Sequence, residues 1–281
     1  MNYPGQENKE KGMTKVIIAG AAGRMGRRIG YMVNEHPVLQ VAAGFERKES
    51  PDLGKDIGEL GGYGKTGIQV ADGLEAVIDQ GDVIIDFTFH EATMQIARKA
   101  AEKNRAMVIG TTGLSPENLQ ELAELSKKFP CVQAPNMAVG VNVLFKLAAK
   151  VASILGNDYD MEIVEAHHRM KKDAPSGTAM KLGEMMARAV GRDLGNVGVF
   201  ARHGIIGERT DKEIGLQTIR AGDIVGEHTV YFAGAGERLE LTHRAHSRDN
   251  FARGAALAAA WVVNQPNGLY TMFDVLGLQD L

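Results

Sequence analysis

Short uninterrupted apolar runs, separated by stretches of helical periodicity, make up the first half of the chain. Val16–Ala19 ends at Gly20, and Met25–Asn34 then repeats its apolar positions at helical spacing. Leu39–Glu46, Val83–Asp86, Ala106–Ile109 and Cys131–Ala134 read as further strands. Leu74–Gln80, Thr93–Lys103 and Pro116–Lys128 read as helices, the last opened by Ser115 as N-cap with Pro116 at its first position. Strands that are apolar throughout bury both faces, so this half predicts an α/β, Rossmann-type doubly wound parallel sheet. After helix Val141–Leu155 the pattern changes. Met161–Ala166, Gly215–Arg220, Ile224–Ala233 and Arg238–Ala245 read as longer strands with Gly-containing connections, and helix Thr178–Val190 follows the first of them. They predict a second, α+β domain with a mixed or antiparallel sheet. Ala-rich Phe251–Val263 is helical again. The expected organisation is a first domain over 13–137 and 248–281 and a second over 138–247.

Composition narrows the class. Lys plus Arg total 32 against 35 Asp plus Glu, a formal charge of −3, which is too balanced for an electrostatic nucleic-acid binder. With 44% apolar and 24% charged residues the chain of 281 is globular. The single cysteine, Cys131, excludes an intramolecular disulfide and a Cys/Cys zinc pair, and fits a reduced, cytoplasmic compartment. The polar segment over 1–12 lacks the apolar stretch of a signal peptide and is expected to be a disordered tail. Val139–Leu155, the most apolar stretch, is interrupted by Lys146 and Lys150 and reads as a buried helix, so no membrane partner is expected.

The 34 glycines require tight turns and close backbone approach. Gly20-Ala21-Ala22-Gly23-Arg24-Met25-Gly26 follows a strand and opens a helix, a G-x-x-G-x-x-G variant of the dinucleotide fingerprint. A helix N-terminus placed there favours a pyrophosphate. An acidic residue at the end of the second strand would bond the adenosine ribose, and Glu46 occupies that position, with Arg47 and Lys48 next to it. Glu46 suits NADH and the adjacent cations suit NADPH, so both remain open. Gly110-Thr111-Thr112-Gly113 sits at the carboxyl edge of another strand, where such sheets bind ligands, and its small residues suit a nicotinamide pocket.

The chemistry concentrates in Glu165–Thr178, which reads Glu-Ala-His-His-Arg-Met-Lys-Lys-Asp-Ala-Pro-Ser-Gly-Thr. His167 and His168 are adjacent, so in an extended chain they point to opposite sides, which disfavours joint chelation of a metal. His243 and His246 lack an acidic third ligand at suitable spacing, and no metal is expected. Histidine moves protons near neutral pH, and Lys171 brings a cation into the same loop. Ser176-Gly177-Thr178 reads as a helix start that can take a carboxylate. Together these describe a pocket for a small acid.

The run E-A-H-H-R-M-K-K-D-A-P-S-G-T resembles the signature of the dihydrodipicolinate (4-hydroxy-tetrahydrodipicolinate) reductases of diaminopimelate and lysine biosynthesis. Similar family-like blocks are Ile18–Arg27, Val108–Gly113, Asn136–Asn142 and Arg220–His228, and the resemblance runs from Lys15 to the C-terminus. It implies NAD(P)H-dependent reduction of a cyclic dicarboxylate with loss of water. It implies pyrophosphate binding by Gly20, Ala21, Ala22, Gly23, Arg24 and Met25, and ribose or ribose-phosphate binding by Glu46 and Arg47. Gly110, Thr111 and Thr112, with the backbone of Ala134, Pro135, Asn136 and Met137, would hold the nicotinamide side. His167 would donate or accept a proton, Lys171 would be the second proton donor, and His168, Gly177 and Thr178 would grip the substrate carboxylates. The family is typically a homotetramer associating through the second sheet, which makes 138–247 the expected substrate-binding and oligomerisation domain.

The chain departs from the family where Phe89 and His90 follow Asp86-Phe87-Thr88, a place commonly occupied by a short x-Pro with a basic residue. Lys172 beside Lys171 supplies a second lysine, and the resemblance selects Lys171, whose spacing from His167 matches the family motif. Two rival readings are weaker. A thiol-dependent semialdehyde dehydrogenase needs a nucleophilic cysteine at a strand-to-helix turn, whereas Cys131 begins an apolar strand. A cofactor-sensing regulator needs a DNA-binding module that the sequence does not show.

Overall fold

The computed structural model describes residues 12–281, so the expected tail lies, apart from Gly12, outside the described residues. In chain order the elements are β1 (Thr14–Ala19), α1 (Arg24–Asn34), β2 (Leu39–Glu46), α2 (Ile57–Gly61), β3 (Val70–Asp72), β4 (Val83–Asp86), α3 (His90–Lys103), β5 (Ala106–Ile109), α4 (Pro116–Leu125) and β6 (Pro130–Gln133). Then come α5 (Val139–Leu155), β7 (Asp160–His167), α6 (Gly177–Ala189), α7 (Leu194–Val197), β8 (Gly198–Val199), β9 (Ile214–Arg220), β10 (Gly226–Gly234) and β11 (Glu237–Ala245). The chain ends with α8 (Asp249–Val262), β12 (Gly268–Tyr270) and α9 (Met272–Val275). These form two compact units. One runs to Val139 and resumes over Arg248–Gly277; the other comprises Gly140–Ser247 with Leu278–Leu281.

The first unit is built on a 7-stranded sheet of order β12-β6-β5-β4-β1-β2-β3, and every pairing in it is parallel. β4 and β5 are buried at every position, as strands covered on both faces must be. On one face Val16, Ile18 and Val108 pack with Ile29 and Val33 of α1 and Ala252, Ala255 and Ala259 of α8. On the other, Ile17, Ile84 and Met107 pack with Met94 and Ala97 of α3 and Leu122 of α4. Strand order reverses between β1 and β4, the place where open sheets of this kind form a ligand crevice at their carboxyl ends.

The second unit carries a 5-stranded mixed sheet of order β11-β10-β7-β9-β8. β10 runs antiparallel to β7 and β11, while β7, β9 and β8 are parallel. Helix α6 lies on β7 and β9. The last residues Leu278–Leu281 belong to this unit, where Lys146 Nζ donates to the carbonyl of Gln279 at 3.1 Å.

Sequence and structure differ mostly at short elements. Leu74–Gln80 is two 3₁₀ turns rather than one helix. α3 starts at His90 with Phe89 as its N-cap, and α4 stops at Leu125. β10 starts at Gly226, because Gly222 takes a left-handed φ of 48° and turns the chain before it. β3 and β12 are each 3 residues long, at opposite edges of the first sheet, and runs so short carry no readable period. Helix α8 approaches the segment before α5 very closely: a Cβ at Gly254 would lie 1.8 Å from the Met137 carbonyl oxygen. Gly254→Ala is therefore expected to destabilise the protein by about 1–3 kcal/mol through backbone displacement, read as a lowered denaturation midpoint.

Candidate active site

In the first unit the turn after β1 is shaped by two glycines. Gly20 has a φ of 66°, and a Cβ on Gly26 would stand 2.1 Å from the Gly20 carbonyl oxygen, so α1 can begin against the strand only without side chains at these positions. Gly23 caps α1 with no side-chain hydrogen bond, and the first helical turn contains no acidic residue. The positive end of that helix is left for an anion, and the turn fits a pyrophosphate. Ala21 and Ala22 are buried, Arg24 is exposed, and Met25 packs on the core beneath. Glu46 ends β2 with Oε1 accepting the Ala22 N–H at 3.0 Å, which holds its carboxylate against the turn; Arg47 and Lys48 beside it are exposed.

The carboxyl end of β4 holds a residue that the sequence reading passed over. Asp86 is fully buried and accepts hydrogen bonds from the Thr88 N–H and from the hydroxyls of Thr88, Thr93 and Thr111. Burial pushes its carboxyl above the usual range, against the pull of those donors. Thr111, expected on the nicotinamide side, thus turns its hydroxyl inward at 3.2 Å from Asp86, which leaves its backbone for a ligand. Gly110 is fixed by the Phe87 ring, whose nearest carbon would lie 2.2 Å from an added Cβ, and Thr112 is exposed. Ala134 donates its N–H to Ile109 at 3.1 Å, Pro135 is exposed, and Asn136 Oδ1 accepts the Ala138 N–H at 2.9 Å, with Met137 buried below. Cys131 is completely buried and its thiol is pushed far up by burial, as an inert core residue.

In the second unit, pairing places Glu165 and His167 of β7 opposite Thr218 and Arg220 of β9, and Glu165 opposite His228 of β10. Residues two apart share a face, so these groups converge on one side of the sheet. Glu165 is 1% exposed. Its carboxylate meets His167 Nδ1 at 2.6 Å, the two Nη atoms of Arg220 at 2.8 and 2.9 Å, the Ser176 N–H at 2.9 Å and the Thr218 hydroxyl at 3.3 Å. Burial alone would raise its pKa, but the bonds to His167 and Arg220 outweigh it and hold the pKa at about 2. Gly226 opposite His167 makes room for the ring: a Cβ there would come within 3.1 Å of Nε2.

Ser176 caps α6, its hydroxyl accepting the Ala179 N–H at 3.2 Å and meeting His228 Nε2 at 3.0 Å. Gly177, exposed, and Thr178, half-buried, open that helix, and no acidic residue stands in its first turn. His168 turns the chain, its carbonyl accepting the Lys171 N–H at 3.1 Å, and Lys171 Nζ pairs with exposed Asp173 at 2.9 Å. His228 is 3% exposed and lies edge-on to His167 with ring centroids 5.2 Å apart. Burial, reinforced by the neighbouring His167, pulls its titration down to about 3, so it stays neutral. Thus the structure brings His167, His168, Lys171, Gly177 and Thr178 onto one loop and helix start. It adds Glu165, which period-2 alternation about His167 could have found, and Ser176, Arg220 and His228, which only the strand register and the helix start bring beside it.

Two family models cover almost the whole described chain: "Dihydrodipicolinate reductase, N-terminus" over residues 14–137 and "Dihydrodipicolinate reductase, C-terminus" over residues 140–276. The chain belongs to the dihydrodipicolinate reductase family. As a reductase of this family it is an oxidoreductase that uses NADH or NADPH to convert 4-hydroxy-tetrahydrodipicolinate in lysine biosynthesis. It is 68% identical to the 4-hydroxy-tetrahydrodipicolinate reductase of Desulfotalea psychrophila, over 96% of this chain and 100% of that one. It is 56% identical to that of Syntrophus aciditrophicus, over 95% of this chain and 100% of the relative. Among solved structures, the dipicolinate-bound dihydrodipicolinate reductase of Paenisporosarcina sp. TG-14 matches with a TM-score of 0.73 at 27% identity, covering 93% of this chain and 98% of that one.

The depressed values of the reductase give a pH signature. His228 sits at about 3 when folded against about 6.5 when unfolded, so below pH 6.5 the unfolded chain takes up the proton first. Stability is complete above about pH 6.5 and falls towards pH 3, with a slope of up to about 1.4 kcal/mol per pH unit. Glu165, lowered from 4.5 to about 2, adds a further loss as pH falls through that interval. Urea unfolding between pH 7 and pH 4 is expected to show the first decline, and His228→Gln to flatten it.

Proposed function

We propose that the first unit binds the NAD(P)H of this reaction and the second holds the substrate, with His167 and Lys171 as the catalytic residues. The observation that carries this reading is the His167–Lys171 loop running into an acid-free helix start at Gly177. Gly20, Ala21, Ala22, Gly23, Arg24 and Met25 would take the pyrophosphate, and Glu46 and Arg47 the adenosine ribose. Gly110, Thr111, Thr112 and Ala134–Met137 would offer backbone to the nicotinamide side. When bound, the dinucleotide supplies the hydride. His168, Gly177 and Thr178 would hold the carboxylates of the cyclic dicarboxylate, in keeping with dipicolinate bound to the Paenisporosarcina relative.

The protein's own contribution is electrostatic and protonic. Loss of the 4-hydroxyl as water leaves a conjugated ring, and addition of hydride to it places negative charge next to the ring nitrogen. A cation about 4 Å away gains about 4 kcal/mol at an effective dielectric near 20, the service assigned to Lys171. Its pairing with exposed Asp173 is weak enough to be exchanged for substrate. His167 delivers a proton from Nε2, a contribution of typically 10²–10⁴-fold. We further propose a homotetramer formed through the second sheet, in the cytoplasm. β11 supports it: it closes one side of that sheet, with Leu239 among its exposed positions.

The test supplies 4-hydroxy-tetrahydrodipicolinate in situ from its synthase and follows NADH and NADPH oxidation in parallel. Oxidation should require the synthase, and the ratio of rates reports what Glu46, Arg47 and Lys48 select. His167→Gln and Lys171→Ala should each lower turnover by about 10²-fold or more, with NAD(P)H affinity unchanged within about twofold. Equal loss of cofactor binding rejects the assignment.

A further inference from the structure

His167 cannot choose its own tautomer; the groups behind it do. A carboxylate accepts and does not donate, so with Glu165 Oε2 at 2.6 Å the proton of His167 sits on Nδ1 in both charge states. Nε2, over the bare Cα of Gly226, is then the atom that exchanges a proton. Arg220 clamps Glu165 in a bidentate pair, with Nη1 and Nη2 on different carboxylate oxygens, and balances its charge. The same guanidinium donates to the Asp173 carbonyl at 2.6 Å, and Glu165 accepts the Ser176 N–H. One carboxylate thus ties together the histidine, the two ends of the Lys171 loop and the start of α6.

We propose that Glu165, charge-balanced by Arg220, is the positioning residue of this reductase. It fixes the His167 ring with Nδ1–H turned inward and Nε2 presented for proton transfer, and locks that ring to the helix start that receives the substrate carboxylate. The proposal rests on the reading of His167 as the proton-transfer residue.

The charged and titratable groups around the ring are few. β7 supplies Glu165, β9 supplies Arg220, and β10 supplies His228, which stays neutral. The loop after β7 brings Lys171 and Asp173, paired with each other, and His243 of β11 lies opposite His228. Glu165 and Arg220 are the charged members hydrogen-bonded to His167 or to its carboxylate partner, and they act with opposite sign.

The decisive experiment uses full-length protein with ¹⁵N-labelled histidine and follows the His167 ring by NMR across pH, with steady-state kinetics alongside. In Glu165→Gln the ring should titrate about one pH unit or more below the parent protein, and the neutral ring should lose its strict Nδ1–H form. In Arg220→Gln, where the carboxylate keeps its charge but loses its clamp, the ring should titrate above the parent. Turnover should fall between about 10- and 10³-fold in Glu165→Gln, with the KM for NAD(P)H within about twofold and the pH–kcat limb displaced in the direction of the ring. Opposite displacements support the proposal. Unmoved midpoints, or both moving the same way, overturn it, because a merely structural role has no sign. Should Glu165→Gln fail to fold, the direction seen in Arg220→Gln decides alone. His167→Gln, measured beside them, tests the catalytic role of the ring; the NMR titration answers for the positioning whatever that result.

Discussion

A carboxylate removed from water must be met on every side by donors or by positive charge, or it will not remain an anion. Glu165 satisfies that demand with a guanidinium, an imidazole, a hydroxyl and a helix N–H drawn from two neighbouring strands and the start of α6. The local arrangement of the second unit follows from this. β9 has to be parallel to β7 for Thr218 and Arg220 to stand beside Glu165 and His167, and α6 has to start where Ser176 can reach the carboxylate. Taking away one of these donors exposes the cost of burying the charge rather than the value of a single bond.

The first unit uses the same device at Asp86 with a different outcome. There the donors are hydroxyls and one backbone N–H, no cation intervenes, and the carboxyl is driven up rather than down. Hydroxyls from β4's end, α3 and the loop after β5 are gathered to one point, so the crevice edge at the strand ends is stiffened from beneath. In both sheets a buried acid gathers donors near the end of a strand.

The doubly wound half was legible because its strands are apolar without alternation, and Ser115 and Pro116 mark the start of α4. The glycine turn and Glu46 could be paired by spacing alone. The His-His-Lys loop was legible by composition and by resemblance. Edge strands β3 and β12 were not, since three residues cannot show a period and their pairing is a tertiary decision. Glu165 lay in plain view at the head of the signature, yet its partners Arg220 and His228 follow more than fifty positions later, and only the strand register makes them neighbours. The inward hydroxyl of Thr111 depends on Asp86, which no local rule connects to it.

The path of the chain has a consequence for synthesis. The first unit is completed by α8 and β12, which emerge only after Gly140–Ser247 has been made. At ribosomal rates of about 5–20 residues per second, the sheet face later covered by Ala252, Ala255 and Ala259 stays bare for on the order of 10 seconds. During that interval Val16, Ile18 and Val108 have the cover of α1 but lack that of α8. The second unit, contiguous except for its last four residues, can condense in the meantime.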